Sequence, residues 1–98
     1  MPAFVAMLSI EIHLYNISSL KGKRTIVRSI CDRLRRQFNV SVIEAGRQDS
    51  KDWADIMICG LVSDNARADS FTEAVINFVE RDFPHLDLSF ATDVVNIK

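Results

Sequence analysis

Hydrophobic positions recur along this chain with two different periods, and the switches between them mark six elements. From Val5 to Tyr15 the sequence alternates, with Ala6, Leu8, Ile10, Ile12 and Leu14 on one side and Val5, Met7, Ser9, Glu11, His13 and Tyr15 on the other. A period of two is the mark of a strand, here one with a fully apolar face. After the polar turn Asn16 to Ser19, the apolar residues Ile26, Val27, Ile30, Leu34 and Phe38 return at steps of three and four. That spacing predicts an amphipathic helix ending near Asn39, with Ser18 or Ser19 as its cap.

Val40 to Ala45 is β-branched and apolar, Gly46 to Trp53 reads as a polar loop, and Ala54 to Val62 is strand-like again. The pattern predicts two strands joined by a long hairpin-type connection. Ser63 to Asn65 offers caps for a second helix, and Ser70 with Glu73 makes another possible capping box; Phe71, Val75, Phe78 and Val79 form its buried stripe. Pro84 should stop that helix. Leu86, Leu88 and Phe90 then alternate with Asp87 and Ser89, and Val94, Val95 and Ile97 carry the apolar character on. The order β, α, β, β, α, β predicts an α+β, ferredoxin-like fold: a four-stranded antiparallel sheet with both helices on one face.

Composition agrees with one domain. The chain has 98 residues, 48% of them hydrophobic and 26% charged, enough to bury a core without disulfide or metal staples. Pro2, Pro84, Gly22, Gly46 and Gly60 are the only residues of their kinds, so no linker or low-complexity stretch divides residues 1–98. Two unclustered cysteines, Cys31 and Cys59, fit a reducing, cytoplasmic compartment and argue against a zinc module. The apolar start is cut by Ser9 and Glu11 and lacks a basic lead-in, which excludes a membrane-spanning helix and disfavours a signal peptide.

Charge changes the picture more. Seven basic residues (Lys21, Lys23, Arg24, Arg28, Arg33, Arg35 and Arg36) and a single acid, Asp32, lie between Lys21 and Arg36, while the rest of the chain holds five basic residues against twelve acids. A net charge of -1 therefore hides a basic helix on an acidic body. At about 100° per residue, Lys21, Arg24, Arg28 and Arg35 form a stripe with Arg36 nearby, suited to a phosphate backbone. Cations in the first turn oppose the helix dipole, a penalty that a bound anion reverses. Ser19, Lys21, Lys23, Arg24, Arg28, Arg35 and Arg36 are therefore candidates for nucleic-acid or phosphate binding. The competing reading is a solvated charged face, with Asp32 neutralising Arg28 and Arg36.

Other residues point less sharply. Glu11 and His13, two apart on one strand face, have the chemistry of an acid–base pair or of two metal ligands, but no third ligand or nucleophile accompanies them. Asp49, Asp52 and Asp55 recur at threes without the glycine and closing glutamate of a calcium loop, so solvation explains them. Cys31 and Cys59 read as packing residues, and His85 as a turn residue beside Pro84. Trp53 either lids the core or offers a stacking platform. No cofactor is implied. The first strand leaves Met7, Glu11, His13 and Tyr15 on an open sheet face, and the third strand is apolar on both sides; a second copy of the chain is the expected cover.

Ser19-Leu20-Lys21-Gly22-Lys23-Arg24, then Asp32-Arg33-Leu34-Arg35 and Phe38-Asn39-Val40-Ser41-Val42, followed by Glu44 and Gln48-Asp49, resemble the YlxP-like family of small bacterial proteins, a family of unknown function. The chain departs from the family at Gly46 and Arg47, where an acidic residue and a histidine are usual. The resemblance implies a ferredoxin-like fold. It also implies RNA or a ribosomal particle as partner, because genes of the family tend to lie among those for translation and ribosome maturation. It supplies no catalytic residues. The reading that results is a non-enzymatic RNA- or ribosome-associated protein. Its rivals are a protein-interaction module docking an acidic partner, and a small-ligand binder or enzyme built on Glu11 and His13.

Overall fold

The computed structural model describes residues 1–98. Its elements are β1 (Phe4–His13), α1 (Leu20–Gln37), β2 (Ser41–Glu44), β3 (Trp53–Val62), α2 (Asn65–Asp82) and β4 (Asp87–Asn96). The four strands form one antiparallel sheet in the order β2-β3-β1-β4. This is the ferredoxin-like arrangement expected from the periodicity.

The apolar sides of the elements meet between sheet and helices. Leu8, Ile10 and Ile12 of β1 and Ile56 and Ile58 of β3 pack with Val27, Ile30 and Leu34 of α1 and with Val75 and Val79 of α2, all essentially without solvent contact. Each such side chain contributes about 1.5–3 kcal/mol by leaving water. Gly60 lets α2 approach the sheet, since a Cβ there would lie 3.1 Å from the Phe71 ring.

Several boundaries differ from the sequence reading. β1 stops at His13, because Asn16 takes a left-handed φ of 60° and turns the chain; Tyr15 lies beyond the strand. Trp53 is not a loop residue but opens β3, paired with His13 of β1. Asp64 caps α2 by accepting from the Arg67 N–H at 2.7 Å, so Ser70 and Glu73 fall inside the helix and form no capping box. α1 ends at Gln37, with the Phe38 N–H donating back to Leu34 O.

The sheet face away from the helices is built in cross-strand rows. Toward one end lie Leu61–Val5–Val95, then Ser41–Cys59–Met7–Asp93, then Ile43–Met57–Ser9–Ala91. Toward the other end lie Asp55–Glu11–Ser89 and Trp53–His13–Asp87. The Leu61 and Ile43–Met57 rows are mainly apolar, the row between them sets Ser41 and the exposed Asp93 beside Cys59 and Met7, and the last two rows are charged and aromatic.

Candidate functional site

α1 starts where Ser19, in extended backbone, accepts the Gly22 N–H on its hydroxyl at 3.1 Å. Its first turn holds no acid, whereas Arg35 and Arg36 in its last turn suit the negative end of the helix dipole. The helix lays its apolar stripe on β2 and β3 and turns its basic side outward.

The structure sorts the basic residues into two groups. Lys21, Arg24, Arg28 and Arg36 are exposed, and none has a carboxylate within ion-pairing distance. Arg28, Arg33 and Arg36, with Thr25, Ser29 and Asp32, line a shallow groove open to solvent on the outer surface of α1. Arg33 borders this groove while reaching Asp82 at 3.7 Å and lying 5.0 Å over the Phe83 ring. It was absent from the expected set, although its position in the basic run is plain from the sequence.

The other group is already engaged. Lys23 is fully buried, which removes it from any phosphate-binding set. Its ammonium donates to the backbone carbonyls of Arg47 and Ser50, both at 2.7 Å, and sits 3.3 Å from Glu44 Oε2. A lysine buried without partners would carry a prohibitive desolvation cost, and these acceptors replace water around it. Arg35 donates to Val42 O at 2.7 Å and pairs with Asp32 at 3.3 Å. It ties α1 to β2 rather than standing free. Ser19 is engaged as the cap.

A second cluster occupies the charged end of the open face. Gly46 and Arg47 take successive positive φ values of 83° and 46°, a turn that glycine accommodates freely at its own position. The Arg47 guanidinium crosses the sheet to Asp55 at 2.6 Å and Glu11 at 2.7 Å, and lies 4.7 Å from the centre of the Trp53 ring. Its hydrogen bonds hold the Asp55 carboxyl below the usual carboxylate range and push the guanidinium's own pKa still higher. His13 stacks on Trp53 with ring centres 4.2 Å apart and planes 6° from parallel. Tyr15 leans on His13 and donates to Asp87 at 2.9 Å, a bond that raises the phenol's pKa.

Glu11 and His13 share this face as expected, yet they turn to different partners, Arg47 and Trp53. No acid–base pair forms between them. Asp49 and Asp52 lie in the β2–β3 loop while Asp55 is held by Arg47, and no three acidic, histidine or cysteine side chains come together as a metal site. Arg47 was not foreseen as a member of this cluster; its partners lie on two strands that only the fold brings together.

Burial of Cys31 pushes its thiol pKa up, and Cys59 lies half-buried on the open face. No helix of the structure is long and apolar enough to cross a membrane.

Comparisons with known proteins bear on the fold and the family. Among solved structures, the de novo designed protein Foldit4 superposes with a TM-score of 0.52 over 93% of this chain and 96% of its own, at 13% identity; that likeness concerns the fold. The chain is 30% identical over 77 residues to the uncharacterized protein YlxP of Bacillus subtilis (strain 168), covering 79% of this chain and 83% of that protein. The family model described as "Protein of unknown function (DUF503)" matches residues 5–89. With family model and relative agreeing over most of its length, the chain belongs to the DUF503 family of YlxP-like proteins.

Proposed function

We propose that this protein is a non-enzymatic RNA- or ribosome-associated binding protein that offers the outer face of α1 to phosphates. One observation carries the reading: Lys21, Arg24, Arg28 and Arg36 stand in water on one helix without an acidic partner, although the chain holds thirteen acids against twelve basic residues. Cations on a net-acidic protein are readily neutralised at the surface; four left unpaired on one element favour an external polyanion. The hydroxyls of Thr25 and Ser29 beside Arg28 add neutral donors of the kind that contact phosphate oxygens.

The likeness to the YlxP-like family adds the association with translation. The rival reading as an enzyme loses ground because the expected Glu11–His13 pair does not form: Glu11 is held by Arg47, while His13 is stacked on Trp53 and has a different carboxylate, that of Asp87, 3.9 Å from its Nδ1. An acidic protein partner would use the same four cations and is separated by experiment. In an anisotropy titration with a fluorescent single-stranded RNA, the parent protein binds with an affinity that falls steeply as salt rises. Arg24→Glu, Arg28→Glu and Arg36→Glu combined weaken binding by more than about tenfold, since each reversal replaces a counterion-releasing contact by repulsion. If RNA binding is absent while a lysate partner persists after nuclease treatment, the acidic-protein reading replaces this one.

A further inference from the structure

Asp32 is the single acid of α1, and with Arg28, Arg33 and Arg36 it lines the shallow groove on the helix's outer surface. Arg28 lies one turn before it and Arg36 one turn after it, yet neither guanidinium comes within ion-pairing distance of its carboxylate. Asp32 pairs instead with Arg35, through Oδ1 alone, at 3.3 Å. Its side chain is 45% exposed, and Oδ2 makes no hydrogen bond within the chain. We propose that Asp32 accepts the ribose 2′-hydroxyl of a bound strand and so makes the phosphate-binding face of α1 selective for RNA over DNA. The inference rests on the phosphate reading above and adds to it the class of polyanion.

Connectivity places a sugar at this acid. Eight residues separate Arg28 from Arg36, about 12 Å along the helix axis, a distance that takes in several nucleotides of a strand rising about 3.4 Å for each. Two phosphates held by these arginines are joined through at least one ribose. That sugar passes over Asp32, which is four residues from either arginine and on the same side of the helix. A base can swing away from the groove, whereas the sugar between two anchored phosphates cannot.

Charge decides what the acid does there. A carboxylate beside a phosphodiester chain repels it, so Asp32 weakens binding unless the ligand supplies a donor. The sugar–phosphate backbone of DNA carries acceptors only. RNA adds the 2′-hydroxyl, a donor on each nucleotide and the group by which proteins distinguish the two polymers. Asp32 is not needed to hold Arg35, whose Nη2 already donates to Val42 O at 2.7 Å, a shorter bond than the 3.3 Å contact of Nη1 with Asp32. The hydroxyls of Thr25 and Ser29 in the same groove donate to phosphate oxygens of either polymer and do not discriminate.

Fluorescence anisotropy with single strands of one A- and C-containing sequence, made as RNA, as DNA and as 2′-O-methyl RNA, tests the proposal. The parent should bind RNA about tenfold more tightly than either other strand, as expected of a hydrogen bond to a charged acceptor. The methylated strand keeps the ribose and loses the donor, which separates hydrogen bonding from the shape of the strand. Asp32→Ala, at a half-exposed helix position that alanine suits, should bring the affinities for all the strands within about twofold of one another, chiefly by strengthening the binding of DNA and 2′-O-methyl RNA. Far-UV circular dichroism confirms that the variant is folded; should it not be, Asp32→Asn keeps the shape, removes the charge and should likewise shrink the preference. Equal binding of RNA and DNA by the parent overturns the proposal and leaves the phosphate reading standing. So does 2′-O-methyl RNA that binds as tightly as RNA, or a preference that survives Asp32→Ala. No salt-sensitive binding of any strand overturns both.

Discussion

Lys23 of α1 and Glu44 of β2 face each other beneath the β2–β3 loop, Nζ to Oε2 3.3 Å apart. The contact is ionic rather than a directed hydrogen bond: Glu44 Oε2 is buried without a hydrogen-bond partner, while the ammonium's short bonds go to the carbonyls of Arg47 and Ser50. One side chain thus holds a loop, a strand end and a helix together. The lysine looks like part of a basic surface in the sequence and is an internal brace in the fold.

Lys23→Met should therefore destabilise strongly without weakening phosphate binding. Removing one partner of a buried ion pair leaves the other uncompensated and costs about 3 kcal/mol here, the low end of the usual range because 19% of the Glu44 side chain stays in water. In a domain of this size that corresponds to a fall in Tm of about 15 °C, measurable by thermal unfolding. Lys23→Met/Glu44→Gln should recover part of the loss. Below the lowered Tm, the RNA affinity of Lys23→Met should equal that of the parent.

The Arg47–Asp55 pair makes a prediction about acid. Asp55 has a lowered pKa in the folded protein because Arg47 donates to its carboxylate. The stabilisation is therefore complete above the ordinary carboxylate value of about 3.9 and is lost as pH falls through the lowered folded value. Arg47→Ala removes it. In urea unfolding the gap in midpoint between parent and variant should be widest near neutral pH and close below about pH 3.9. A gap that widens in acid would contradict the assignment.

The two thiols should react in a fixed order. Cys31 is only 6% exposed, and its burial raises the thiol pKa, so little thiolate is present or reachable at neutral pH. Iodoacetamide should alkylate the half-buried Cys59 first, and Cys31 only as the protein unfolds; mass spectrometry of peptides over time distinguishes the sites.

The alternation of Ala6 to Leu14 and the three- and four-residue steps of Ile26 to Phe38 each demand one kind of element, and the fold follows them. The register of Trp53 was less accessible: Lys51 and Asp52 before it and Asp55 after it disguise a strand start as loop, and only pairing with His13 reveals it. Lys23 did carry a signal. It stands four, seven and eleven residues before Val27, Ile30 and Leu34, in line with the buried stripe, but its charge placed it with the surface cations. The Arg47 cluster was illegible for a different reason. Glu11, Arg47 and Asp55 are far apart in the chain, and what joins them is the β1–β3 register together with two successive positive-φ residues.

The central claim is that α1 meets phosphates through its unpaired cations, and the salt dependence of RNA binding tests it most directly. Affinity for a single-stranded RNA is measured across a series of salt concentrations for the parent, for Lys23→Met and for Arg24→Ala/Arg28→Ala/Arg36→Ala. Each lost phosphate contact reduces the slope of log affinity against log salt by about 0.7 for single strands. The triple alanine variant should thus lose about 2 from the parent's slope, and Lys23→Met should keep it. An unchanged slope in the triple variant, or no salt-sensitive RNA binding by the parent, would contradict the account.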